Sequence, residues 1–120
     1  MNKSDWKKKI IQQCKDVGTY RDAFLPTIDG LAAILEQRDK THREFISSGG
    51  ESVIKYTNKA GAENTVKNPL LEVWKDLTKT ALTYWSQLGL TPAGLKKIDE
   101  AAMKPRKQSA LADALRTLEG

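Results

Sequence analysis

Apolar residues recur along the chain at alternating steps of three and four, the repeat of one face of an α-helix. The first such stretch holds Trp6, Ile10, the Gln13–Cys14 pair and Val17. Ser4 can cap its start and Gly18 can stop it, which predicts a helix to about Val17, on the order of 20 Å long. Lys7, Lys8 and Lys9 are expected to fan around its opposite side. A longer helix follows from about Asp22 to Ser47, with Pro26 in the first turn, where a missing N–H costs little. Phe24, Ile28, Leu31, Leu35, Arg38, His42 and Phe45 form a heptad seam, the pattern of a helix packed lengthwise on another. Gly30 inside it either costs about 1 kcal/mol relative to alanine or marks a close helix approach. Glu36–Lys40 and Asp39–Arg43 have the acid-before-base i,i+4 spacing that supports an exposed face.

After Ser48-Gly49-Gly50 the pattern changes to the β-prone run Ser52–Thr57, the turn-like Asn58–Gly61 and a second short run, Glu63–Val66. These predict a small β-hairpin near residues 51–67. A lone two-stranded hairpin is marginal in water, so this one is expected to lean on a helix or on another subunit. Asn68-Pro69 opens a third helix by cap-then-proline logic. Along it, Leu70, Trp74, Leu77, Ala81, Tyr84 and Leu88 step by four and three, and Leu71, Leu82 and Trp85 add a second apolar flank. Gly89 can close it, and Thr91-Pro92 starts a short fourth helix. Lys104–Gln108 is a basic linker, and Ser109–Leu118 places Leu111, Ala114, Leu115 and Leu118 on one stripe, either a packing helix or a frayed end. The expected fold is therefore mainly α: two long antiparallel helices joined by a short β-hairpin, with short N- and C-terminal helices. Three regions follow: a basic N-terminal helix (1–19), a helical-hairpin oligomerisation core (20–90), and a fourth helix, linker and tail (91–120).

Two helices of roughly 20–26 residues shield only one face of each other. The third has more apolar surface than that single seam can cover, and large exposed apolar patches mark interfaces. Self-association through Leu31, Leu35, Leu70, Leu71, Trp74, Leu77, Leu82 and Trp85 is the expectation. A monomeric bundle, with the first helix and the tail as cover, is the alternative. Trp6, Trp74 and Trp85 sit at helical spacing and read as core or subunit contacts rather than as base-stacking groups.

Composition narrows the class. Of 120 residues, 39% are apolar and 29% charged, too hydrophobic for a wholly disordered chain. No run approaches the ~18 apolar residues of a membrane span, and the N-terminus lacks the apolar core of a secretory signal, so Asn2-Lys3-Ser4 matches a glycosylation acceptor by chance. The single cysteine, Cys14, fits a reducing cytoplasm. Twenty Lys+Arg against fifteen Asp+Glu give a net charge of +5. The excess is concentrated at Lys3, Lys7, Lys8, Lys9 and Lys15, and again at Lys96, Lys97, Lys104, Arg106 and Lys107. These ten residues are the candidate DNA contacts. The competing explanation is a solvated face that aids solubility.

Catalysis finds little support. There is no phosphate-cradling G-x-x-x-x-G-K-[ST] loop, and His42 and Cys14 are each single, so no catalytic residue, cofactor or metal site is expected. Asp99 and Glu100 are adjacent and diverge on a helix, and His42 on the seam reads as a packed or interface histidine.

The run Asn68-Pro69-Leu70-Leu71, then Tyr84, then Leu88-Gly89-Leu90-Thr91-Pro92-Ala93 resembles the small subunit of phage DNA-packaging terminases. The similarity reaches back through Gly18-Thr19-Tyr20 and Ile34–Lys40 and covers roughly residues 5–105. Many relatives continue the turn with Ser-Arg and a further basic residue. Here Gly94-Leu95 stands instead and the charge arrives at Lys96-Lys97. The resemblance implies a non-enzymatic, ring-forming protein that recognises double-stranded viral DNA in the bacterial host cytoplasm and hands it to the ATPase–nuclease large subunit. A helical scaffold with protein partners only is the alternative. A compact transcriptional regulator would need a short-helix pair that the pattern does not provide.

Overall fold

The computed structural model describes residues 1–101 and position 115. Helix α1 spans Lys3–Val17, a 3-10 turn Asp22–Phe24, α2 Leu25–Ser47, strands β1 Val53–Thr57 and β2 Glu63–Lys67, and α3 Pro69–Gln87. A further helical stretch, α4, occupies residues 92–101. The fold is thus mainly helical, with an antiparallel hairpin between the two long helices, as expected. Lys104, Arg106, Lys107 and the tail stripe, Leu115 apart, lie outside the described residues.

The capping residues explain most boundaries. Asn68 accepts from the Leu70 N–H at 3.0 Å and Pro69 fills the first turn of α3. Thr91 Oγ1 accepts from the Gly94 N–H at 3.1 Å and starts α4 in the same manner. At the other end of α3, the Leu90 N–H reaches back to the Trp85 carbonyl and that of Gly89 to Ser86, a bond pair that turns the chain left-handed at Gly89, φ +72°. One boundary differs from expectation: Asn2, not Ser4, caps α1 by accepting from the Asp5 N–H at 2.8 Å. Asparagine and serine are near-equal caps, so local chemistry does not choose between them. The Lys3 N–H is instead taken up by Glu36 of α2, which fixes the earlier start.

Helix α2 lies between α1 and α3 and supplies the centre of the core. Ile10 and Cys14 of α1, Ile28, Leu31, Ala32 and Leu35 of α2, and Ala81 and Leu88 near the end of α3 are buried together. Enclosing each large aliphatic side chain is worth about 1.5–3 kcal/mol. Leu31 and Leu35, expected at a subunit interface, are fully enclosed by their own chain. A heptad seam looks the same whether its partner is the same chain or another copy, and here α1 and α3 of the same chain fill it. Gly30 does mark a close approach: a Cβ there would stand 3.3 Å from the Tyr84 ring. Thr19 Oγ1 donates to the Leu88 carbonyl at 2.8 Å, which ties the α1–α2 corner to the end of α3.

Polar groups align α1 on α2. The Trp6 indole N–H donates to Asp39 at 2.7 Å, while Lys3 and Lys7 converge on Asp29 at 3.1 and 3.6 Å. Glu36 and Asp39 therefore serve α1. The expected pairs Glu36–Lys40 and Asp39–Arg43 do not form among the described residues. The hairpin pairs Val53 with Lys67 through Thr57 with Glu63. Its turn is organised by the Asn58 side chain, which accepts from the Ala60 and Ala62 N–H groups. Asn68 anchors its base through Glu51 and Ser52. Beyond that base, both faces are open except at half-buried Ile54.

Three outcomes follow from this packing. Leu31→Ala or Leu35→Ala should each lower the stability read by urea unfolding by about 2–5 kcal/mol, because each leaves a cavity at the three-helix contact. Burial pushes the Cys14 thiol up, outweighing its hydrogen bond with Thr19, so a thiol reagent should label it only after denaturation. Asp29 is held below the usual carboxylate range, chiefly by its hydrogen bond to Lys3; burial opposes this as the next largest effect, and the charges of Lys3 and Lys7 add to the lowering. A carboxyl depressed by folding stabilises above its unfolded pKa, and that contribution is lost as pH falls through its folded value. Asp29→Asn should therefore melt below the wild type at pH 7, with the gap closing below about pH 4.

Candidate nucleic-acid interface

The ten candidate DNA contacts separate once the helices are packed. Lys3 and Lys7 are spent on Asp29, so Lys7 sits at the α1–α2 seam and not with its two neighbours on the far side of the helix. Lys8, Lys9 and Lys15 are exposed and form no ion pair among the described residues. Lys9 lies 5.2 Å over the Trp6 ring and Lys15 5.1 Å over the Tyr20 ring. Such contacts steady a long side chain while leaving ammonium N–H groups for an anion. On α4, Lys96 and Lys97 are exposed.

The fold sets Lys9 in the lining of a groove that α1, the end of α3 and the start of α4 enclose, with Asp16 and Arg38 also lining it. Its volume is about 750 Å³. Trp6, Lys9 and Gln13 of α1 form one wall, Trp85 and Leu90 another, and Pro92 and Leu95 a third, with Lys96 next in sequence. Two glycines allow the close contact that builds the third wall. A Cβ on Gly94 would stand 2.1 Å from the Ser86 carbonyl oxygen, and one on Gly89 would meet Thr19 and Ile98 at 2.9 Å. The Gly94-Leu95 pair, which departs from the terminase pattern, is thus the point where α4 rests directly on α3 backbone.

Arg38, placed by its spacing in the α2 seam, lies 5.8 Å from the Trp74 ring and 5.7 Å from the Trp85 ring. A cation in an otherwise apolar seam was the available signal for this contact; its aromatic partners are set only by how α3 packs. All three tryptophans are half-buried against their own chain, and Trp85 faces the groove beside Trp6. Farther toward the hairpin, His42, Phe45, Leu71 and Trp74 line a pocket of about 160 Å³, with the exposed imidazole 6.2 Å from the Trp74 ring.

Of the remaining interface candidates, Leu70, Leu71, Trp74 and Leu77 are half-buried and Leu82 is 50% exposed. On the hairpin, the register sets Ile54, Val66 and Tyr56 on one face, and Tyr56 and Val66 are exposed. Among the described residues no three His, Cys, Asp or Glu side chains cluster as metal ligands, and no helix is long and apolar enough to cross a membrane.

The family model described as phage terminase, small subunit, matches residues 3–105. Searches of curated proteins and of solved structures each found no match. The match takes in all the described helices and the hairpin, from the capped start of α1 through α4, and the chain belongs to the phage terminase small subunits, the non-catalytic DNA-recognition component of genome packaging.

Proposed function

We propose that the chain works as a homo-oligomeric ring in the cytoplasm of the bacterial host, gripping double-stranded DNA through repeated lysine clusters and passing it to the large ATPase–nuclease subunit. The observation that carries this reading is that Lys8, Lys9, Lys15, Lys96 and Lys97 are all exposed with no carboxylate paired to them among the described residues, Lys9 in the lining of the groove. Lys8, Lys9, Lys15, Lys96 and Lys97 are the phosphate contacts within the described residues, and Lys104, Arg106 and Lys107 extend the second cluster. Lys3 and Lys7 serve mainly to dock α1. A handful of lysines on one chain binds DNA weakly, but copies held together add their phosphate contacts.

Self-association is supported by apolar surface that the described residues do not cover. Leu71 and Leu82 on the second flank of α3, beside half-buried Leu70, Trp74 and Leu77 of its seam, offer one such surface, and the Ile54–Tyr56–Val66 face of the hairpin offers another. An isolated hairpin with an open apolar face is marginal, so contact with a neighbouring subunit accounts for both features.

Gel-shift titrations with duplex DNA should show affinity falling steeply with salt, the log–log slope growing by about 0.9 for each phosphate contacted. Lys8→Glu/Lys9→Glu should weaken binding and flatten that slope without changing the particle mass from light scattering. Lys3→Gln should leave the slope within error. Leu82→Asp should reduce the particle mass while circular dichroism keeps its helical signal, because the side chain is half-exposed. A salt-independent affinity would favour a scaffold role over DNA binding.

A further inference from the structure

Helix α1 packs on α2 at the edge of the layer and turns its opposite side outward. Gln12 stands at the crest of that side. It lies two residues from each of the buried Ile10 and Cys14, about 160° round the helix from both, and it is exposed. Its neighbours on the helix surface, three and four positions either way, are Lys8, Lys9, Lys15 and Asp16. The three lysines form no ion pair among the described residues. Lys9 and Lys15 flank the crest, each about 60° to one side. Their contacts with the Trp6 and Tyr20 rings hold them there. Tyr20 is itself fixed by its hydroxyl, which donates to Asp22 at 2.9 Å. Asp5, the other exposed acid of this face, is two turns back, about 10 Å along the axis.

The amide of Gln12 is already oriented. Its nitrogen donates to Asp16 Oδ1 at 2.8 Å. Because a carboxylate only accepts, this contact fixes which end of the amide is nitrogen and which oxygen. The second N–H and the Oε1 oxygen stay open, one donor beside one acceptor. In the major groove adenine alone presents the complement, an N7 acceptor next to an N6 donor. We infer, on the reading that the exposed lysines hold duplex DNA, that α1 enters the major groove with Gln12 on an adenine edge and Lys8, Lys9 and Lys15 on the phosphates along its two walls. Asp16 is a positioning residue that holds the amide for this contact. Dimensions agree: a helix with its side chains is about 10–12 Å across, and the groove is about 12 Å wide. Two other exposed candidates fit less well. Helix α4 carries Lys96 and Lys97 but no amide side chain. Gln37 on α2 is exposed, yet of its neighbours Ala33, Ile34, Lys40 and Thr41 only one is cationic.

Selecting bound duplexes from a randomised library with the full-length protein, and sequencing the bound pool, tests this. The wild type should enrich a site in which one position favours adenine by about tenfold, the discrimination of a bidentate pair. Gln12→Ala should abolish that preference and leave the salt slope on a fixed duplex unchanged. Gln12→Arg should move the preference at the same position to guanine, whose O6 and N7 suit a guanidinium. Asp16→Ala should lower the adenine preference while tightening overall binding, since it removes a negative charge near the phosphates. A merely structural role would not move those two readouts in opposite directions. Gln37→Ala is the control and should match the wild type. Circular dichroism should show every variant equally helical, because all three positions are exposed. An adenine preference that survives Gln12→Ala, or a wild type that binds duplexes but enriches no sequence, overturns the base contact and leaves the lysine contacts standing. A wild type that binds no duplex at low salt overturns both.

Discussion

A layer of helices only one helix thick cannot bury both of its sides, and the other features of this molecule answer to that constraint. Helix α2 comes nearest to escaping it, since α1 takes one flank and α3 the other, and four of its side chains reach complete burial. Helix α3 has a neighbour on one flank only. Its inner positions, Ala81 and Tyr84, meet α2 closely, while Val73 and Leu82 remain open. The hairpin, one pair of strands wide, has no neighbour beyond its base among the described residues. The core and the exposed apolar strips are two results of the same geometry.

The carboxylates of α2 decide how the positive charge is shared. Asp29, Glu36 and Asp39 face α1 and take up Lys3, Lys7, the first N–H of the helix and the Trp6 indole. Basic residues within reach of these acids are held in the joint between helices. Lys8 and Lys9, one and two positions on from Lys7, remain available to a polyanion. A single step of 100° around a helix thus separates a lysine that positions the helix from one that can bind.

Element boundaries were legible because short-range chemistry sets them. Asn68-Pro69, Thr91-Pro92 and the glycines after each helix act through contacts within a few residues, and the observed ends agree. The hairpin was legible for the same reason, through Asn58 and Gly61 in its turn. Pairing across helices was not. The spacing of Glu36 and Asp39 fits a solvent-facing salt-bridge ladder equally well, and only the arrival of α1 decides otherwise. Likewise, Leu31 and Leu35 repeat as an interface would, and nothing local says which chain supplies the partner. Asn2 prevailed over Ser4 through a bond from Glu36, thirty-three residues away from the first turn. Within the candidate DNA site, the basic residues could be named from sequence, but their division into docked and open required the fold.

The bare contact at Gly94 has a mechanical consequence. Most helix pairs touch through side chains, which can shift rotamer and absorb a small displacement. Here the backbone of α4 rests on the backbone of Ser86 with no such cushion, and Gly89 is wedged between Thr19 and Ile98 on the adjoining turn. A side chain at position 94 would therefore part α4 from the last turn of α3, one turn from Leu82, and carry Lys96 and Lys97 away with it.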